Sequence, residues 1–417
     1  MIGGGKRLKG EIKVFGAKNA AMKMMAASIL FEEPVILDNV PEILDITKLS
    51  AILTKMGAKI ERKGHQLSID TSKLANIDPD PFLVGTFRAS VVLIGPLLAR
   101  FGQVRIAHPG GDKIGRRPID RHLKAFGDLG IKVAETNDSY LFQKTDYLNT
   151  KVHFEKISVT ATENILIFAC GQQETISIDN AAIEPEVIDL CNFLQKGGAK
   201  ISISGRQISV SGGKLKKVRH QVIPDRIEAG TFAVLAAATA SSLKITDLIP
   251  EHLGAFLNKL REIGVQFEIG DNFLYIRKPL ENKISTYLRA SKISTAEYPG
   301  LPTDLQPPLG LLLTQAVGES LIQENIFENR LGYLKELQKM GAKIKVINNH
   351  LAKITGPAKL HGADISSLDI RTGATLIIAG LIASDKTQIA HAENIDRGYE
   401  RIEERLQKLG ADIKRIS

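Results

Sequence analysis

Five stretches of this chain set cationic side chains beside glycines and residues that start helices. Four are Gly16-Ala17-Lys18-Asn19, Thr86-Phe87-Arg88-Ala89-Ser90, Asp369-Ile370-Arg371-Thr372-Gly373-Ala374 and Asn394-Ile395-Asp396-Arg397-Gly398; the fifth is the loop 109–118, Pro109-Gly110-Gly111-Asp112-Lys113-Ile114-Gly115-Arg116-Arg117-Pro118. A helix N-terminus presents unpaired N–H donors and the positive end of its dipole. Arginine adds a planar fork that matches phosphate and carboxylate. If several of these groups converge, they make a pocket for small anions. Each has a structural reading beside the functional one: Lys18 and Arg88 as solvated charges, Arg371 paired with Asp369, Arg397 paired with Asp396. The loop 109–118 resists such a reading. A glycine-rich segment carrying charges is costly to order, and loops of that kind often carry function.

Other chemistries are excluded by what the chain lacks. It has no P-loop, no HExxH, no paired CxxC and no GxSxG elbow. Gly3-Gly4-Gly5 follows no strand, so it is not a dinucleotide fingerprint. The net charge is +9, but the basic residues are scattered, tryptophan is absent and aromatic residues make up 5%. That pattern suits acidic small molecules and argues against nucleic acid. The two cysteines, Cys170 and Cys191, lie in apolar surroundings, which points to a reducing compartment and away from a disulfide or a cysteine metal site. The first residues lack the apolar core of a signal peptide, and no apolar run is long enough to span a bilayer. A soluble cytoplasmic protein with no membrane partner is expected.

The elements that must position these residues repeat. Met56-Gly57-Ala58-Lys59-Ile60 returns as variants centred on Gly130, Gly198, Gly264, Gly341 and Gly410. Spacing this even means one supersecondary unit used six times. Each phrase ends an amphipathic helix, with stripes such as Ile46, Leu49, Leu53 and Met56, or Leu334, Leu337 and Met340, or Ile402, Leu406 and Leu409. The glycine falls where a left-handed cap is needed, and a hairpin follows. Gly205-Arg206, Gly270-Asp271 and Asn348-Asn349 read as hairpin turns. Each unit also holds an apolar stretch: Ala26 to Leu30, Val91 to Ala99, Ile165 to Cys170, Phe232 to Ala240, Leu309 to Leu313 and Leu376 to Ala383. Helices apolar all round belong inside a domain. The expected unit is a small sheet with one buried and one outer helix. A chain of 417 residues with 43% hydrophobic residues suits two domains of three units each.

Several of these residues resemble a known family. Gly16-Ala17-Lys18-Asn19-Ala20-Ala21, the 109–118 loop, Pro302-Thr303-Asp304-Leu305-Gln306, Phe327-Glu328-Asn329-Arg330 and Ile395-Asp396-Arg397-Gly398-Tyr399-Glu400 are similar to the motifs of the UDP-N-acetylglucosamine enolpyruvyl transferases. The resemblance runs from Gly4 to about Ile416. It implies an α/β protein with the two-domain inside-out α/β barrel built from six repeats. One domain would span 20–228 and carry the mobile loop 109–118. The other would join 1–19 to 229–417, with the active site in the cleft between them. It implies transfer of enolpyruvyl from phosphoenolpyruvate to the 3-hydroxyl of UDP-N-acetylglucosamine by addition and elimination, with no cofactor and no metal. Lys18, Asn19, Arg117, Arg371 and Arg397 match the positions that hold phosphoenolpyruvate. Asn19, Arg88, Arg117, Pro118, Ile119, Asp120, Arg121, Lys156, Ser158, Val159, Asp304 and Ile326 match those that hold the sugar nucleotide. Lys18, Asp112, Asp304 and Arg397 match the catalytic set. Asp304 would take the proton from the sugar hydroxyl; its structural reading is a helix cap after Thr303.

The chain departs from the family at three places. Asp112 stands where most members carry the cysteine that protonates the enol methylene and is alkylated by fosfomycin. A carboxyl starts near pKa 4 and a thiol near roughly 8.5, so activity is expected to peak at lower pH than in the cysteine-bearing relatives, and no fosfomycin adduct is expected. Arg121 replaces an apolar residue. Pro307 and Pro308 stiffen the helix entry after Asp304.

Overall fold

The glycine of every repeated phrase does what its missing Cβ allows. Gly57, Gly130, Gly198, Gly264, Gly341 and Gly410 all have φ between 85° and 114°, a region that side chains avoid. Each ends an amphipathic helix: Leu44–Lys55, Asp120–Asp128, Pro185–Gly197, Gly254–Ile263, Tyr333–Lys339 and Ile402–Lys408. These facts come from a computed structural model, which describes residues 1–111, 118–279 and 288–416.

The all-round apolar stretches form the buried helices: Lys18–Ala27, Ile94–Phe101, Val159–Cys170, Arg226–Ala238, Gln306–Leu313 and Ile370–Ile382. Most start earlier than their apolar runs, so the polar residues ahead of each run lie in its first turn. In Arg226–Ala238 every residue is buried. Pro307 and Pro308 fall in the first turn of Gln306–Leu313, where a missing N–H costs nothing.

Among the described residues the strands make six small sheets, five of four strands and one of three. The order repeats. A central strand such as Ile176–Asp179 runs antiparallel to the hairpin strand Gln207–Ser211, which pairs with Lys200–Ser204, and Lys151–His153 lies parallel on its other side. Alternate residues of these strands face the helices, as in Val35–Asp38, while hairpin strands such as Lys59–Lys63 are largely exposed. Two hairpin turns lie one residue beyond the expected pairs: the Gly270 N–H bonds to the Phe273 carbonyl (3.0 Å), so the turn is Asp271-Asn272 rather than Gly270-Asp271. A bulge between Val346 and Asn348 lets Asn348 still pair with Leu351, so the turn is Asn349-His350.

Two sheets take their parallel strand from far along the chain. Lys9–Lys13 lies beside Ser242–Thr246, and Arg219–Gln221 beside Val35–Asp38. The sixth sheet is finished by the N-terminus: Ile2 sits opposite both Thr387 and Ile413.

The described residues divide into two compact units, 1–15 with 224–416, and 16–111 with 118–223. The divisions fall a few residues before those read from the sequence, and hydrogen bonding accounts for this. The Phe15 N–H donates to the Glu228 carboxylate (2.9 Å) and the Asp225 N–H to the Phe15 carbonyl (2.8 Å). The next bond, Ala17 N–H to the Ile223 carbonyl (2.7 Å), belongs to the other unit. Each unit has its own core. In the first, helices Arg226–Ala238, Gln306–Leu313 and Ile370–Ile382 pack on one another, with the sheets outside them. That is the inside-out, six-repeat α/β architecture expected.

Candidate active site

In the unit of 16–111 and 118–223, Lys18 is the first residue of its helix. Its Nζ lies 2.6 Å from Oδ2 of Asp45, which sits in the first turn of Leu44–Lys55, and both side chains are buried. Asn19 follows on the same turn. One turn on, buried Lys23 pairs with buried Glu163 of helix Val159–Cys170 (2.9 Å). Burial raises the Glu163 carboxyl to about 7 against the pull of Lys23.

A second group converges in the same unit. Arg88 opens a 3-10 turn and its Nη2 donates to the Pro118 carbonyl (2.9 Å). Ile119 is buried and precedes helix Asp120–Asp128, whose first residue is exposed. Arg121 donates through Nη1 to the Ile157 carbonyl (3.0 Å). The replacement arginine thus ties that helix start to the segment holding Lys156, Ser158 and Val159. Beneath them His122 is buried, and burial, then the charge of Arg88, pushes its imidazole down to about 3. Asp112 and Arg117 lie outside the described residues.

In the other unit a charged cluster surrounds Asp304. The residue sits in a 3-10 turn, Thr303–Leu305, and makes no cap there. Its Oδ1 accepts from Arg330 Nη2 (2.9 Å) and its Oδ2 from Arg371 Nε (3.2 Å). Both arginines are buried. The alternative reading, an Arg371–Asp369 ion pair, gives way to a cap: Asp369 Oδ1 accepts from the N–H groups of Arg371 and Thr372 at 2.9 and 3.1 Å, and lies 3.5 Å from Arg330 Nη1. Burial disfavours the Arg330 charge, but Asp369, Asp304 and Glu324 outweigh it and raise its pKa. Arg371 lies over the Tyr399 ring (5.3 Å), and Tyr399 Oη meets Thr231 Oγ1 (2.9 Å).

The segment that bears Arg397 comes up against this cluster because glycines permit close approach. A Cβ on Gly398 would lie 2.5 Å from Ile370 Cγ2 and 3.8 Å from Arg371 Nη1, and one on Gly373 would lie 2.5 Å from Ile395 Cγ1. The segment bearing Arg397 therefore rests directly on the helix start bearing Arg371. Arg397 itself is buried. Asp396, its partner in the alternative structural reading, pairs with Arg415 in a bidentate contact of 2.7 and 2.8 Å. Ile326 lies in a turn organised by buried Glu324, whose Oε1 accepts the Ile326 N–H (2.9 Å).

Sequence reasoning did not pick out Asp45, Glu324, Arg330, Asp369 or Tyr399 as functional. Arg330, Asp369 and Tyr399 stand inside quoted motifs, so the signal was present. Asp45 and Glu324 carry none, since only the fold brings them near Lys18 and Thr303. Among the described residues, no three His, Cys, Asp or Glu side chains are grouped to hold a metal ion.

The arrangement can grip anions with buried cations and hold a carboxylate ready beside them. Its relatives agree with that chemistry. The family model for EPSP synthase (3-phosphoshikimate 1-carboxyvinyltransferase) matches residues 2–406. A UDP-N-acetylglucosamine 1-carboxyvinyltransferase of Halothermothrix orenii is 41% identical over 100% of this chain and 99% of its own length. One from Koribacter versatilis is 43% identical, covering 100% and 96%. Among solved structures, the enolpyruvyl transferase NikO from Streptomyces tendae superposes with a TM-score of 0.88 at 25% identity, over 99% of this chain and 97% of its own. An EPSP synthase from Acinetobacter baumannii shares the fold, with a TM-score of 0.75 at 18% identity over 100% and 99%. The chain is a member of the enolpyruvyl transferase family, in its UDP-N-acetylglucosamine 1-carboxyvinyltransferase branch.

Proposed function

We propose that this protein transfers the enolpyruvyl group of phosphoenolpyruvate to the 3-hydroxyl of UDP-N-acetylglucosamine and releases phosphate. The observation that carries the reading is Asp304 held between Arg330 and Arg371, with the segment that bears Arg397 resting on the helix start that bears Arg371, in a chain 41% and 43% identical over its whole length to proteins named for that reaction.

In the first half-reaction the sugar hydroxyl attacks C2 of phosphoenolpyruvate. Asp304 accepts the hydroxyl proton, and Asp112 delivers a proton to the methylene carbon, which becomes a methyl group. The product is a tetrahedral intermediate that still carries its phosphate. In the second half a proton leaves that methyl group and phosphate departs, restoring the enol double bond. Lys18, Arg117 and Arg397 hold the phosphate and offset the charge that develops on it. Arg371 holds the carboxylate: its Nε is committed to Asp304, and the rest of its fork has the planar geometry that a carboxylate requires. Asn19 serves both substrates. Arg88, Pro118, Ile119, Asp120, Arg121, Lys156, Ser158, Val159 and Ile326 receive the sugar nucleotide.

The reaction would supply the first committed precursor of peptidoglycan, and through it cell-wall growth, shape and division, from the cytoplasm. No helix among the described residues is long and apolar enough to cross a membrane. With aspartate at 112 the enzyme would be insensitive to fosfomycin.

Phosphate release from the two substrates together tests the reading. Turnover with UDP-N-acetylglucosamine supports it. Turnover only with another nucleotide acceptor reassigns the acceptor, and binding of both substrates without turnover makes the chain a regulatory copy.

A further inference from the structure

Glu324, in the unit that carries Asp304, is a carboxylate with both oxygens employed. It follows strand Gly318–Gln323 and is completely buried. Burial of a carboxylate is tolerated only when its lone pairs are used, and here they are. Oε1 accepts from Thr295 Oγ1 (3.1 Å), the Ile326 N–H (2.9 Å) and the Phe327 N–H (3.2 Å). Oε2 accepts from Thr303 Oγ1 (3.0 Å). Thr295 Oγ1 in turn accepts the Asn325 N–H (2.8 Å), so that hydroxyl is fixed as a donor to Glu324.

The two oxygens face different tasks. One shapes the turn that carries Ile326. The other holds the hydroxyl of the residue directly before Asp304. A single rigid group therefore sets the spacing between the proton acceptor and the backbone on which the sugar nucleotide is to lie. Glu324 also adds to the negative field on Arg330, which grips Asp304.

We propose that Glu324 is a positioning residue for the acceptor substrate, holding the Thr303–Asp304 turn and the 326–327 backbone in the register that brings the sugar hydroxyl to Asp304. This rests on the transferase reading above. A general base must lie within hydrogen-bond reach of its proton, and an error of about 1 Å in such placement can cost on the order of 100-fold in rate.

The test uses the full-length enzyme, with kcat and KM for UDP-N-acetylglucosamine, its Kd by calorimetry, and Tm. Thr303→Val keeps the shape and removes only the Oε2 arm. It is expected to lower kcat by about 10- to 100-fold while KM and Kd move less than about threefold, and Thr303→Ser should restore kcat. Glu324→Gln can still accept from the backbone N–H pair and donate to the Thr303 oxygen, so it should keep most of the turnover. Glu324→Ala loses both arms and should lower kcat and raise KM together. A Thr303→Val enzyme with wild-type kcat would overturn the proposal. So would losses in Thr303→Val and Glu324→Ala that merely track the fraction of protein folded. If the wild type itself fails to turn over the two substrates, the transferase reading falls and takes this proposal with it; wild-type turnover with an indifferent Thr303→Val sinks the role of Glu324 alone.

Discussion

A carboxylate that accepts a proton must be held still without being used up. Asp304 meets this by accepting from a guanidinium on each oxygen, Arg330 on Oδ1 and Arg371 on Oδ2, so that both its oxygens are fixed in place. Asp304→Asn keeps the size and removes the basicity. It should lower kcat by about 10²- to 10⁴-fold with Tm and sugar-nucleotide affinity little changed, measured by phosphate release and calorimetry. Asp112→Cys should move the activity optimum to higher pH and create a fosfomycin adduct, seen as a mass increase on the intact protein. The unaltered chain should give no such increase, and a wild-type profile that stays at full activity into alkaline pH would contradict the assigned acid. Lys18, Asp304, Arg371 and Arg397 were legible because each stands in a distinctive motif; Lys18, Asp304 and Arg371 do sit at helix starts, whereas Arg397 follows the short helix Glu393–Asp396 instead of opening Ile402–Lys408 as expected. The partners of these residues were less so. Asp369 and Asp396 look like the natural mates of Arg371 and Arg397, yet the first caps a helix and the second binds Arg415. An ion pair between neighbours in sequence must compete with every charge the fold delivers, and the sequence does not rank them.

Elements deliver those charges through close contacts. Helix Ile370–Ile382 carries Arg371 in its first turn, and Gly373 lets Ile395 press against it. Gly373→Ala would drive a methyl group into Ile395 and Ser367 Oγ. Such overpacking should cost about 1–3 kcal/mol of stability, and kcat should fall about tenfold or more as the Arg397 segment shifts; denaturant titration and steady-state kinetics read the two separately. The repeat was readable because a glycine at positive φ and an apolar helical stripe are strong local signals. The second and third hairpin turns were each misplaced by one residue: Gly270 still pairs with Phe273, and in the third a bulge leaves no mark on the apolar alternation. Strand Ile2–Gly3 escaped notice for a simpler reason: two residues carry no period at all.

Across the whole molecule, two buried titratable groups set opposite slopes of stability with pH. Glu163 holds its proton to about pH 7 when folded, against 4.5 for an ordinary glutamate. Its contribution is therefore fully present below pH 4.5 and is lost as pH rises toward 7. His122 falls to about 3 from 6.5. It remains neutral in the fold while the unfolded chain takes up a proton, so its contribution is present above pH 6.5 and is lost as pH falls. Each slope is at most about 1.4 kcal/mol per pH unit. Urea midpoints measured from pH 4 to 8 should show Glu163→Gln flattening the neutral side and leaving the acid side steep. The sixth sheet has a different reach. Ile2 is seated between Thr387 and Ile413, and the Met1 amino group and carbonyl both bond to Lys414 at 2.9 Å. A ribosome releases Ile2 hundreds of residues before Ile413, so this sheet waits for its last strand to be made. Strands this far apart close one sheet like a clasp, which can shut only after the segment carrying Ile413 has also left the ribosome.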